Sequence, residues 1–410
     1  MGMTAPHQHE IVANFGVCGH HDVVTERIMV LLLALAMGLA GCGNGRSNFS
    51  QEPGFAEYFA KRPPASAPAG PAEQALLHRY RPRFLLPPGH PGMIDFYLDY
   101  VPEGHLTDGA GRRVTGPLDR LALNAHKRDP EAVFVHEPSG RPGTPTVYGR
   151  VDQEDVTFET EAGRVVEPFT FLTYHAVFRY SGLPAGMLGW QEWLIRRVAS
   201  PEDWHQLDHY TAAILALDRG GKPVALTLQQ HNHMRTHLFG REVTLPTDGR
   251  VVLDVAIRSN ELYPHQPGRV LHRMMGTPGS TSLRYLISGE KRPLLGADDI
   301  TEGGTEPDYR LQFLPPDDAF YVFQGFLGER RRLPGRSGPP GASYNVAPAL
   351  KPSGLQLTAF YWREGDAGDL ERLDAVLARD RGLVEFARVQ SAIFYRDWQA
   401  LSPAPVARTP

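Results

Sequence analysis

Between Trp204 and His237 the apolar residues fall into two strand-length runs, 210–217 and 223–230, either side of Asp218-Arg219-Gly220-Gly221-Lys222. Glycine takes positive φ at little cost, so this spacing predicts a β-hairpin. With the turn centred near Gly220, antiparallel partners have numbers summing to about 440, which sets His209 opposite His231. Thr211, Ala213 and Leu215 then share a face with His209, and Ala225, Thr227, Gln229, His231 and His233 share it on the second strand. Directly opposed Cβ atoms lie roughly 5 Å apart, close enough for two imidazoles to hold one metal ion.

Elsewhere short apolar stretches between Pro/Gly turns predict strands at 80–86, 94–101, 132–136, 147–151, 155–159, 251–258, 283–288, 309–314, 320–326 and 355–362. Residues 169–180 (FTFLTYHAVFRY) are apolar on both faces, the pattern of a central strand covered on both sides. His175 within that run is read as a hydrogen-bonded core histidine. Residues 187–198 fit helix and strand equally. From 369 to 401 the apolar positions recur every three or four residues with a break at Gly382, which predicts two amphipathic helices packed on the sheet. Many strands without strand–helix alternation argue for a mainly β fold, an antiparallel β-sandwich with a C-terminal helical segment. The body spans 76–365, the helical segment 366–402, and 403–410 is a tail.

The N-terminus has a different pattern. Residues 28–39 (IMVLLLALAMGL) follow Arg27 and end in Ala40-Gly41-Cys42, an apolar core of signal-peptide length and too short to span a membrane comfortably. Leu39-Ala40-Gly41-Cys42 resembles the lipobox of bacterial lipoproteins, which implies cleavage before Cys42 and acylation of its thiol. The resemblance makes 1–41 a signal peptide with an N-terminal extension, because Glu10, Asp22 and Glu26 are foreign to such a head and translation is expected to begin near Val24. Residues 42–75, rich in Gly, Ser, Pro and Ala, read as a tether. The implied partner is the membrane, through lipid on Cys42 and without a transmembrane helix. Gly43, in place of an aspartate, favours the outer membrane facing the periplasm. With Cys18 removed, one cysteine remains and no internal disulfide can form.

Composition narrows the chemistry. A chain with 41% hydrophobic and 21% charged residues is globular, and a net charge of -4 supplies no basic footprint for nucleic acid. Arg330-Arg331-Arg332 sits beside a Pro/Gly-rich loop and reads as solvated. The sequence contains no Gly-x-Ser-x-Gly, no phosphate-cradling Gly-x-x-x-x-Gly-Lys-Ser/Thr and no dinucleotide fingerprint after a strand. Pairs such as Asp298-Asp299 and Asp317-Asp318 face opposite ways on a strand and read as surface loops. No catalytic residue can be named.

The histidines carry the one chemical candidate. His231-x-His233 places two imidazoles on one strand face, and His209 or His237 would add a third for a divalent metal such as zinc, with Asp208 a ligand only if the strand starts late. Gln206-Leu207-Asp208-His209-Tyr210-Thr211-Ala212 is similar to the Asp-Trp-Glu-His-x-Thr-x stretch of the vacuolar protein sorting-associated protein 62 family. Ile257-Arg258-Ser259-Asn260 through Tyr263-Pro264 follow in the family's order, and the similarity covers about residues 174–267. It implies a β-sandwich; since Leu207 and Asp208 replace Trp and Glu, it implies at most a weak cation site. Two functions follow as expectations: a surface-anchored binding protein of the cell envelope or, alternatively, a metal-dependent hydrolase using the hairpin histidines.

Overall fold

A computed structural model describes residues 68–114, 118–137, 139–182, 207–209, 211–229, 234–265, 304–328, 353–361 and 383–401. Eleven strands are described: β1 (Arg83–Leu85), β2 (Gly104–Thr107), β3 (Val133–His136), β4 (Thr146–Thr160), β5 (Gly163–Ala176), β6 (Ala212–Leu217), β7 (Pro223–Gln229), β8 (Met234–Leu238), β9 (Val252–Val255), β10 (Leu262–Pro264) and β11 (Arg310–Phe313). The α-helices are α1 (Pro71–Arg79), α2 (Arg120–Ala125), α3 (Ala319–Val322), α4 (Ser353–Ala359) and α5 (Leu383–Leu401), and a π-helical turn spans Phe96–Tyr100.

Strands β4 and β5 form the backbone of the largest sheet, paired from Val147↔Ala176 to Thr160↔Gly163. Strands β6, β7 and β8 extend it antiparallel, and β11 lies parallel on the outer side of β4, giving the order β11-β4-β5-β6-β7-β8. A smaller sheet has the order β1-β9-β10, and β2 pairs with β3. The described chain is β-rich, and none of these sheets closes on itself.

Alternation along the strands assigns each residue to one of two faces. Leu172, Tyr174 and Ala176 of β5, Ala213 and Leu215 of β6 and Leu226 and Leu228 of β7 share one face. They form a single hydrophobic cluster with Phe84, Leu253, Val255 and Leu262 of the smaller sheet. Each such side chain, fully buried, contributes roughly 1.5–3 kcal/mol before entropy is counted. The second face carries two separate clusters. Tyr148 joins Phe96, Tyr100, Phe134, Phe320 and Tyr321 at one end. Val156, Phe158, Phe169 and Phe171 join Leu357, Tyr361 and Phe394 at the other.

Several expected strands are helical turns, and a carboxylate explains each. Within 94–101, Phe96–Tyr100 form the π turn because Asp95 Oδ1 accepts from the Tyr97 and Leu98 amides at 2.8 and 2.9 Å. Phe320 lies in α3, not a strand, since the N-cap Asp318 Oδ1 accepts from its amide at 3.0 Å. Residues 355–359 belong to α4, whose first amides, Ser353 and Gly354, donate to the two Glu154 carboxylate oxygens at 2.7 and 2.6 Å. The pieces expected at 147–151 and 155–159 are one continuous strand. Helix α1 falls partly in the stretch assigned to the tether, and its Leu77 is buried in the first-face cluster.

The hairpin exists, but its register is corrected by one residue. Ala213 lies opposite Leu228 and Ile214 opposite Thr227, with an irregularity between Ala216 and Leu217 that brings Leu217 opposite Pro223. The Asp218 side chain holds the five-residue turn by accepting from the Gly220 and Lys222 amides at 2.8 and 2.9 Å. Ala225 and Thr227 therefore share a face with Ile214 and Ala216, not with Ala213 and Leu215. The lipobox with Cys42, His205, His231, His233, residues 187–198 and 283–288 and the first of the two C-terminal helices lie outside the described residues. The second, α5, packs Phe394 against Phe158 and Tyr361 as expected.

Candidate functional site

Between the two clusters of the second face runs a row of polar side chains. Strand pairing sets it out in order: Arg150 of β4 opposite Thr173 of β5, Thr173 opposite Ile214 of β6, Ile214 opposite Thr227 of β7, and Thr227 opposite Thr236 of β8. In the adjacent row Tyr148 lies opposite His175. The row is buried. Helix α3 covers one side, bringing Tyr321 beneath the Arg150 guanidinium, 5.7 Å from the ring centre. Helix α4 crosses the sheet on the other side, from its cap on Glu154 to the Gln356 carbonyl, which accepts from Thr236 Oγ1 at 3.4 Å.

Part of the row is satisfied internally. Arg150 Nη2 pairs with Asp152 Oδ2 at 2.7 Å, and the hydroxyls of Thr227 and Thr236 are 2.8 Å apart. Thr173 Oγ1 and Tyr321 OH are buried without a hydrogen bond, and the His175 ring has the His209 backbone as its hydrogen-bonding neighbour. His175 is 2% exposed, set edge-on to Phe320 and Tyr321 at 5.8 and 5.4 Å between ring centres. Burial, then the Arg150 and His209 charges, lower its pKa to about 3, against a weaker opposing effect of the His209 backbone. His209 stacks on Phe96 at 6.1 Å and meets Phe320 edge-on at 5.5 Å, and burial lowers its pKa to about 4. Both imidazoles are neutral at pH 7, and burial pushes the Tyr321 phenol up. The row therefore offers hydrogen-bond donors and acceptors without net charge, chemistry suited to holding a polar molecule.

The expected metal ligands do not converge in the described region. Asp208 is tied by its backbone to Phe178, and its carboxylate accepts from Thr211 Oγ1 at 3.1 Å and from Asn260 Nδ2 at 3.0 Å. His209 precedes β6 and faces the aromatic cluster. His237 sits on the opposite sheet face, across from Leu226, with Nδ1 3.4 Å from Glu242 Oε2 and Arg235 on the same carboxylate at 3.5 Å. Among the described residues no three His, Cys, Asp or Glu side chains could hold a metal ion. His175 is a core residue as expected, with the His209 backbone beside its ring.

The Asp208–Asn260 bond does join the two stretches on which the family resemblance rests. Asn260, at φ 58, reaches a left-handed conformation that asparagine tolerates. Its Oδ1 lies 3.0 Å from His90 Nε2, which carries the ring proton because Nδ1 accepts from the Gly92 amide. Every group in this chain is bonded, and it acts as a brace. No family model, curated protein or solved structure matches the sequence.

Sequence reasoning missed Arg150, Thr173 and Tyr321. A signal for Arg150 was present: along β4 the even positions read Tyr148, Arg150, Asp152, Glu154, Val156, Phe158, a polar interruption on one apolar face. Splitting the strand into two pieces hid it.

Proposed function

We propose that this protein is a lipid-anchored binding protein of the cell envelope, held to the outer membrane by acylated Cys42, that takes a small ligand against the second sheet face. The reading is carried by the unpartnered hydroxyls of Thr173 and Tyr321, buried on that face. A buried polar atom without a partner costs about 1–3 kcal/mol, so a folded state with two of them gains from a guest that pairs with them. An antiparallel β-sandwich, with the smaller sheet over the first face, would supply the rigid scaffold. Neutral imidazoles titrating near pH 3 and 4 are poorly matched to proton transfer at pH 7, which supports holding over turnover.

Purification of the full chain under native conditions, followed by denaturation and mass spectrometry of what is released, tests the binding. A stoichiometric small molecule lost in Thr173→Val protein is expected; an empty extract from both, with no ligand acquired from envelope extract, would sink the reading. Labelled palmitate should enter the wild-type chain and not Cys42→Ser protein.

A further inference from the structure

We infer that the arginine-rich strip where the folded body begins is the surface this protein sets against a membrane, and that it takes the headgroups of anionic phospholipids. The inference rests on the anchoring half of the proposed function, in which lipid on Cys42 brings body and bilayer together, and it says which side of the body faces the lipid.

Alternation lays out the strip. From the end of α1 into β1 the chain reads Arg79-Tyr80-Arg81-Pro82-Arg83-Phe84. Tyr80, Pro82 and Phe84 are buried, which leaves Arg79, Arg81 and Arg83 on the outer side. Two tyrosines hold the first two in place: the Arg79 guanidinium lies over the Tyr80 ring at 5.0 Å and that of Arg81 over Tyr309 at 5.8 Å. Tyr80 OH donates to the Gly221 carbonyl at 3.1 Å, which brings the exposed Arg219 and Lys222 of the β6–β7 turn alongside. Arg250 Nε donates to the Arg81 carbonyl at 3.1 Å. Three stretches far apart in sequence therefore place their cations on one side of the body.

Their charge is only partly answered. Glu306 accepts from Arg83 Nε at 2.8 Å and lies 3.8 Å from Arg250. Asp218 and Asp248 accept from amides of their own turns, and Asp308 is exposed. Among the described residues Arg79 and Arg81 rest on rings and make no ion pair, Arg81 acting on Glu306 only at longer range. This excess stands out in a chain of net charge -4. A single phosphate fits it badly, because Glu306 already occupies the point where Arg83 and Arg250 converge. Single-stranded nucleic acid needs rings for its bases, and Tyr80 and Tyr309 are buried beneath arginines. A bilayer meets each exposed cation with a separate headgroup, at about fivefold in affinity for each. Placement supplies the rest. The tether reaches the body at α1, which ends on Arg79, and a tether of its length and composition spans about 30 Å on average. The strip is thus delivered to the surface at high effective concentration.

The test uses the full chain carrying Cys42→Ser, which removes the lipid, with Leu32→Gln and Leu35→Gln, which keep residues 28–39 from inserting. Its binding is measured by flotation with vesicles of phosphatidylcholine, or of phosphatidylcholine with one third phosphatidylglycerol. At about 50 mM salt, binding at least about tenfold tighter to the anionic vesicles is expected, with the preference lost at about 500 mM. Adding Arg79→Gln with Arg81→Gln should weaken anionic binding at least about tenfold. Arg112→Gln with Arg128→Gln, the same change in net charge beyond β2 and α2, should leave it as it was. Arg79→Lys with Arg81→Lys, which keeps the charge, should bind like the parent. Equal weakening by the two glutamine pairs would mean that net charge and not this strip is felt, and loss in the lysine pair that the packing on the rings had changed; either overturns the inference. No preference for anionic vesicles would also overturn it, while palmitate labelling at Cys42 decides the anchoring reading separately.

Discussion

The two faces of the six-stranded sheet are built from alternate residues of the same strands, yet they solve packing differently. On the first, Leu172, Tyr174, Leu215, Leu226 and Leu228 run without interruption into Phe84 and Leu253 of the smaller sheet. On the second, aromatic clusters at either end are parted by Arg150, Thr173 and their neighbours. Backbone pairing cannot account for this, since it is common to both faces. A fold needing only stability could have continued apolar residues across the second face, as it does across the first. Polar groups kept in the middle of a sheet at an energetic cost mark a place where something besides stability is at work.

The largest expected effect lies on the first face. Leu172→Ala should lower unfolding free energy by about 3 kcal/mol, through lost transfer energy and the cavity left behind, as measured by urea titration. A loss near zero would mean that this face is not the principal core and would erase the contrast. Next comes the α3 cap on the second face: Asp318 accepts from Tyr97 OH, from Arg120 at 2.9 Å and from the Phe320 amide. Asp318→Ala should cost about 2 kcal/mol, because those donors lose a buried acceptor while half-exposed Arg120 recovers water.

Acid should act through the second face. In the unfolded chain His175 and His209 titrate near 6.5, in the fold at about 3 and about 4. As pH falls the unfolded chain therefore takes up these protons first. The stability held by the neutral imidazoles is complete above pH 6.5 and declines from there towards pH 4. Glu103, its pKa lowered overall by Ser139, Arg179 and His136 against the effect of burial, adds its loss only below the usual carboxylate range. Urea midpoints between pH 7 and 4.5 should fall in the parent and fall less in His175→Phe; equal slopes would show that His175 is already charged or exposed. The smallest effect is expected from Thr173→Val without ligand: a gain of up to about 1 kcal/mol, since the orphaned hydroxyl is removed and the shape kept. A loss of similar size would reveal a partner for that hydroxyl in the native state.

The fold was partly legible in the sequence. Pro223 and the twin glycines marked the β6–β7 turn, the doubly apolar run marked β5, and the three-and-four spacing near Phe394 marked α5. The turns at 96–100, 319–322 and 353–359 were illegible as helix because their aromatic and branched residues favour strands. Carboxylates fix them instead, Asp95 and Asp318 beside the turn and Glu154 far away on β4. The hairpin register was lost to an irregularity at Leu217 that no local pattern announces. The polar row was legible only as interrupted alternation on a strand whose full length had not been seen. The apolar surroundings of His175 depend on Phe320 and Tyr321, brought over it from a distant part of the chain.

Two of the parallel pairings have a consequence for when the protein can fold. Arg83 pairs opposite Val252, and Arg310 opposite Thr146, so both sheets take an edge strand from a distant part of the chain. Non-local contacts of this kind close large loops before they repay them, and they slow folding. A chain emerging from the ribosome therefore cannot complete either sheet until much of the body has been made. On the proposed envelope reading, such a delay would keep the chain threadable until it had crossed the membrane.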